Sequence, residues 1–329
     1  RRISVGAIAP IAVASIVAYA ANQAFFNLEP MLAVPDMSIQ LRPLLPFLIF
    51  TGVLSALTSV AYMAAIRKGR ELASRSGWSM PQLLVSCVVV VGSISVVVPD
   101  VAGLGLTQIN EMIDAQFGLA MLLVLLAGKI FVTAYCLNTG FFGGVFGPAL
   151  FVGAATGAIV ANVAILAGLA PHLSYALPIA AIAAVGGAVI GAPLTAIIIV
   201  IELTGSYAYG LSAMLCAILC SLLTLRFFGL SYFDRQLLDR GIDLRLGQEH
   251  VELSLTPVSE IESSEFVRLE ADTPLHAAQQ ALIAAQATEA YVCDASDRLI
   301  AKVDIHGLAQ ASSLEQALDR KPISLQADD

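Results

Sequence analysis

The stretch Asn138-Thr-Gly-Phe-Phe-Gly143-Gly144-Val145-Phe146-Gly147-Pro148 combines residue types and spacing that point to the holding of an anion. Proline is favoured in a helix's first turn, so these residues read as a glycine-rich loop entering a helix near Pro148. A helix start leaves its first four N–H groups unpaired and carries about half a positive elementary charge. Around Val145 and Phe146, with Gly144 and Gly147 beside them, those donors lie in an apolar segment without a nearby lysine or arginine. An anion held by backbone N–H groups would satisfy them without the burial of a full cation. The glycines let the backbone come close to such a ligand. A Pro/Gly kink filled by neighbouring helices is the competing reading of the same residues.

Other candidates for chemistry are few. Glu202 is the only acid between residues 130 and 225. An intramembrane carboxylate is by default a functional hypothesis, although a helix end beside Thr204-Gly205 also lets it reach an interface and pair. Lys129 could raise the positive potential near an anion path, but snorkelling to the interface is the favoured expectation. His172, His250, His276 and His306 are scattered without a metal-ligand spacing, so no metal site is expected. Cys87, Cys136, Cys216, Cys220 and Cys293 are odd in number and include no C-x-x-C, and Cys216 and Cys220, one helical turn apart in an apolar stretch, read as small buried thiols. The absence of H-E-x-x-H, G-x-S-x-G and P-loop patterns argues against an intramembrane enzyme.

The elements that must position the glycine-rich loop are set by composition. Of 329 residues 58% are hydrophobic and 13% charged, with a mean hydropathy of +0.83; soluble domains carry roughly 25% charged residues. Residues 1–225 hold 15 of the Asp, Glu, Lys and Arg residues and residues 226–329 hold 27. Lipid is the expected solvent of the first part and water that of the second. The formal net charge of −8 comes without a basic cluster, so no nucleic-acid partner is expected.

A spanning helix needs about 20 apolar residues. Charge-free runs at 3–28, 43–66, 76–99, 115–128, 130–201 (His172 apart) and 203–225 predict seven to ten helical pieces. Pro148 and Pro193, each after glycines, predict broken helices, a habit of transporters. The cations Arg67, Lys68, Arg70 and Arg75 read as a loop facing the cytoplasm. Gly153/Gly157 and Gly187/Gly191 are spaced for close helix packing, with a dimer face as the sharper alternative.

Gly143-Gly-Val-Phe-Gly-Pro148 resembles the G-x-F-x-P signature of the ClC family of chloride channels and chloride/proton antiporters. Gly191-Ala-Pro-Leu-Thr-Ala-Ile-Ile-Ile-Val-Ile-Glu202-Leu-Thr204 is similar to the family's later A-P-L-T…E-x-T segment. Ser231-Tyr232-Phe233 sits where the family places its last pore segment. The resemblance covers residues 1 to about 246. It implies that the amides of Val145 and Phe146 bind the central anion and that a tyrosine hydroxyl also contacts it. A gapless match puts Phe233 at the tyrosine place and a one-residue slip restores Tyr232, which is favoured. The family's gating glutamate motif, its serine-bearing loop and its inner proton-handling glutamate belong to a first half that lies outside this sequence. About half a pore is therefore expected, which alone should not conduct.

The polar tail reads as strand, helix, strand, Asp-rich turn and strand over residues 266–303, and resembles a cystathionine-beta-synthase (CBS) domain. Val267–Asp272 recurs weakly as Ile323–Asp328, so a second repeat is expected to begin where the sequence stops. CBS pairs can bind adenine nucleotides through an Asp after the third strand. That place holds Gly307 here, so a dimer-stabilising module is favoured over nucleotide sensing, and no cofactor is expected.

The expected fold is therefore mainly α: a polytopic membrane domain of broken, tilted helices over 1–246, then a small α/β CBS-like domain over 247–329. The expected function is voltage-gated or proton-coupled chloride transport by a homodimer in a bacterial inner membrane, with the tail cytoplasmic. A secondary transporter of another solute is the alternative, and an intramembrane enzyme the next.

Overall fold

The computed structural model describes residues 5–25, 31–32, 34–35, 41–239, 266–285, 287–294, 298–311 and 313–319. The chain divides into two compact units, Arg1–Leu244 and Arg245–Asp329.

In the first unit the apolar runs become helices, as they must where the backbone has no water to bond. The described residues form α1 (Val5–Phe25), α2 (Leu41–Arg75), α3 (Met80–Val97), α4 (Leu106–Ile113), α5 (Leu119–Asn138) and α6 (Phe146–Leu166). They continue as α7 (Pro171–Ser174), α8 (Ala176–Ile190), α9 (Pro193–Thr204), α10 (Tyr207–Phe227) and α11 (Tyr232–Leu238). Among the described residues six segments are long and apolar enough to cross a membrane: α2, α3, α5, α6, α7–α8 and α10–α11. Among the described residues the runs from 3 to 225 give ten of these helices, α1–α10, at the upper end of the seven to ten expected, and α11 follows in a charged stretch beyond them.

The four cations from Arg67 to Arg75 do not form a loop. They belong to the last turns of α2, whose 35 residues reach roughly 52 Å at 1.5 Å per residue, well beyond an apolar layer of about 30 Å. Arg, Lys, Glu, Leu and Ala are strong helix formers, so the helix continues past its apolar part.

The core is built on α6 and α8. A methyl group added at Gly153 would stand 2.6 Å from the Ala181 carbonyl oxygen, and one at Gly157 would collide with the Leu177 backbone. These glycines therefore bring the two helices together within one chain, rather than offering a face to a second copy. Lipid gives helices no hydrophobic drive to associate, so this close contact is what holds α6 in place. Gly191 ends α8 with φ +73°, and the backbone turns there before Pro193 opens α9.

The second unit holds β1 (Val267–Glu270), α12 (Leu275–Ala284), β2 (Glu289–Cys293), β3 (Leu299–Asp304), α13 (Ile305–Gln310) and α14 (Leu314–Ala317). β1 pairs parallel with β2, and β2 pairs antiparallel with β3. Leu269, Leu282, Val292, Val303 and Leu308 make its core. Lys302 Nζ lies 2.6 Å from Glu289 Oε1 across the β2–β3 ladder. That hydrogen bond holds the lysine pKa above its ordinary value. The Ile323–Asp328 repeat lies outside the described residues.

Candidate functional site

The loop before α6 is tied down at its entry. Asn138 Nδ2, at the end of α5, donates to the Ile66 carbonyl of α2 (2.9 Å) and to the Ala134 carbonyl (2.7 Å). Gly140, with φ +100°, then turns the chain in a conformation that side chains rarely adopt. Phe141 to Gly144 are exposed, and nothing lies within 4 Å of a Cβ built on Gly144.

Val145 is the N-cap of α6 and is buried, with Phe146 and Gly147 as the first two helical residues. Pro148 is third, where it has no N–H to leave unpaired. The Val145 carbonyl accepts from Ala149 N (3.2 Å) and from the buried Tyr62 hydroxyl of α2 (2.9 Å). The amides of Val145, Phe146 and Gly147 have no hydrogen-bond acceptor among the described residues. Three donors thus stand together at the positive end of a 21-residue helix, beside the open space at Gly144.

Tyr232 and Phe233 take different sides. Tyr232 packs on the cluster that contains Tyr62, Val145, Ala149, Val185 and Val189, whereas Phe233 is exposed. Ser231 sets this orientation. Its Oγ donates to Asp234 Oδ2 (2.7 Å) and accepts from Asp234 N (3.2 Å). A methyl group on Gly191 would meet the same Oγ at 2.7 Å, so the end of α8 and the start of α11 are in close contact.

Lys129 does not snorkel. It is 2% exposed, and its ammonium donates to the carbonyls of Val101 (2.9 Å) and Gly103 (2.6 Å) while lying 4.5 Å from the centre of the Phe151 ring. The irregular segment 99–105 brings free carbonyls to the ammonium inside the protein, which removes the reason to reach for the interface. Gly147 of α6 faces the same segment, with a built Cβ 3.3 Å from Leu104.

Glu202 is brought to none of this. It is exposed on α9, in line with exposed Ile198 and Leu194 one and two turns earlier, and forms no ion pair among the described residues.

Tyr62 is the residue that reading the sequence for charges and glycines missed. A tyrosine inside an apolar span must find an acceptor for its hydroxyl, and that is the signal that could have singled it out.

Residues 1–225 match the family model described as voltage gated chloride channel. The chain is 28% identical over 221 residues to a protein of Ralstonia nicotianae named by likeness as a ClcB-like chloride channel protein, covering 66% of this chain and 51% of the relative. It is 31% identical over 137 residues to the H(+)/Cl(-) exchange transporter ClcA of Vibrio vulnificus, covering 39% of this chain and 29% of the relative. Among solved structures, a slow cyanobacterial Cl-/H+ antiporter superposes with a TM-score of 0.56 at 21% identity, over 64% of this chain and 50% of that one. This likeness concerns the fold. The chain spans about half the length of the first relative and less of the second.

Proposed function

The chain belongs to the voltage gated chloride channel family, and we propose that its first unit supplies half of an anion-transport path through a membrane. The central anion is held by the amides of Val145 and Phe146, with Gly144 and Gly147 giving access and the Tyr232 hydroxyl as a further donor. The observation that carries this reading is the group of three unpaired amides at the start of α6, beside open space. Neutral donors offset the loss of the anion's water without the strong attraction of a full cation, so the ion both enters and leaves. The Lys129 ammonium, with only carbonyls and a ring around it, adds positive potential behind the same helix. Phe233, facing outward, takes no part.

The same reading makes the protein an integral one of a bacterial inner membrane, acting as a homodimer, with the second unit as a CBS-like cytoplasmic module. Nucleotide binding there is disfavoured. By the resemblance Gly307 stands where nucleotide-binding CBS pairs place an Asp, and the nearby Asp304 side chain is spent on capping α13 through the Gly307 amide.

The test is chloride efflux, recorded together with external pH, from chloride-loaded liposomes holding the chain joined to the half that its relatives carry. Val145→Pro removes one anion-binding N–H. A charge-assisted hydrogen bond is worth about 1.5–3 kcal/mol, so efflux should fall by roughly tenfold or more. Proton counter-movement makes the assembly an exchanger, and its absence a channel. If neither chloride nor a substituted anion moves, the reading is wrong.

A further inference from the structure

A second cationic feature lies within the first unit, on the cluster of arginines beyond Tyr232. The last turns of α2 and the segment from Phe228 through α11 enclose a pocket of about 370 Å³, its open mouth included, lined by Arg67, Arg70, Phe228, Tyr232, Arg235 and Asp239. We propose that this pocket binds a phosphate-type oxyanion.

Three guanidinium groups face one carboxylate there. The carboxylate is a weak neutraliser: Asp239 stands 3.7 Å from Arg70 in a pair whose side chains are more than half exposed, and exposed pairs of this kind open readily. Arg67 forms no ion pair among the described residues. Instead the Phe228 ring orders two of the cations, with Arg67 5.8 Å and Arg235 5.2 Å from its centre. Arg235 donates to the Phe228 carbonyl at 3.2 Å, while its Nε is buried with no acceptor among the described residues. A buried donor left unpaired in a cationic pocket is what an absent anion would explain.

The geometry favours oxygen over halide. A guanidinium is a planar fork that matches two oxygens at once, and a spherical ion uses only part of it. Most of that volume is the open mouth, and the enclosed part is small, which suits one phosphate group rather than a larger ligand. The group comes either from water, as inorganic phosphate or a monoester, or from a lipid headgroup. This site does not depend on the transport reading, because its occupancy is measured directly.

The experiment is thermal unfolding of the full chain in detergent, at constant ionic strength in sodium chloride so that any chloride site stays saturated. Inorganic phosphate at about 10 mM should raise Tm by ~2 °C or more. Arg67→Gln and Arg235→Gln should abolish the rise, and Arg67→Lys, which keeps the charge but not the fork, should weaken it. A rise given only by mixed micelles of phosphatidylglycerol, not of phosphatidylcholine, and lost in Arg67→Gln, supports the site and assigns the lipid as its source. An Arg67→Gln variant with the parent's basal Tm and the parent's full phosphate response would overturn the proposal. So would the absence of any response to both phosphate and phosphatidylglycerol.

Discussion

The Tyr62 hydroxyl donates a 2.9 Å hydrogen bond to the carbonyl of Val145, 83 positions further along the chain. The residue that caps the candidate anion site is thereby fastened to the middle of α2. The bond also consumes the only proton that the hydroxyl could offer, so Tyr62 positions the site without being a donor to the anion. Tyr62→Phe should cost about 0.5–1.5 kcal/mol of stability and weaken chloride binding several-fold, because the cap loses its anchor. Thermal melts and chloride titration of the purified chain check both. A variant that binds chloride as tightly as the parent would remove Tyr62 from this role.

Two glycines on the same segment should behave oppositely. A Cβ at Gly144 meets nothing within 4 Å, so Gly144→Ala should leave the unfolding free energy within about 0.5 kcal/mol of the parent's yet weaken chloride binding. Gly153→Ala drives a methyl group against the Ala181 carbonyl and should destabilise by about 1–3 kcal/mol. Equal melting losses for the two would contradict the packing described for α6 and α8.

Tyr232→Phe should lower selectivity for chloride over larger anions while Phe233→Ala leaves it unchanged, since Tyr232 packs with Val145 and Phe233 is exposed. Reversal potentials or anion-exchange rates in liposomes measure this. The reverse ranking would restore the gapless match of Phe233 to the tyrosine place.

Glu202→Gln should leave anion movement within about twofold of the parent. The carboxylate is exposed on the side of α9 that carries exposed Leu194 and Ile198. Complete loss of transport would revive a transporter of another solute with Glu202 as its proton or cation ligand.

The Lys302–Glu289 contact predicts a pH dependence in the second unit. Its folded-state lysine pKa is raised, so the contribution is fully present below the unfolded lysine value near 10.4 and is lost as pH rises through the folded value. Unfolding of the second unit should thus show no Lys302-dependent change across neutral pH, and a loss only above about pH 10.5 that Lys302→Met removes. A Lys302-dependent step near pH 7 would contradict this.

Much of this molecule was legible from residue order alone. The charge-free runs, Pro148, Pro193 and the glycines placed the helices, the break between α8 and α9, and the unpaired amides of Val145 and Phe146, because these follow from local backbone chemistry and from the demands of an apolar solvent. The alternation and turn residues of 266–303 likewise foretold the three strands. What local chemistry does not specify is which distant segment supplies a missing partner. Only the folded chain puts Tyr62 on Val145, turns Tyr232 toward that pair and Phe233 away, supplies Lys129 with two carbonyls from 26 and 28 positions earlier, and collects Arg67, Arg70 and Arg235 around Phe228. Each of these depends on contacts between segments distant in sequence, and those contacts are decided by how closely the helices fit, as where the missing side chains of Gly153 and Gly157 let α6 meet the α8 backbone.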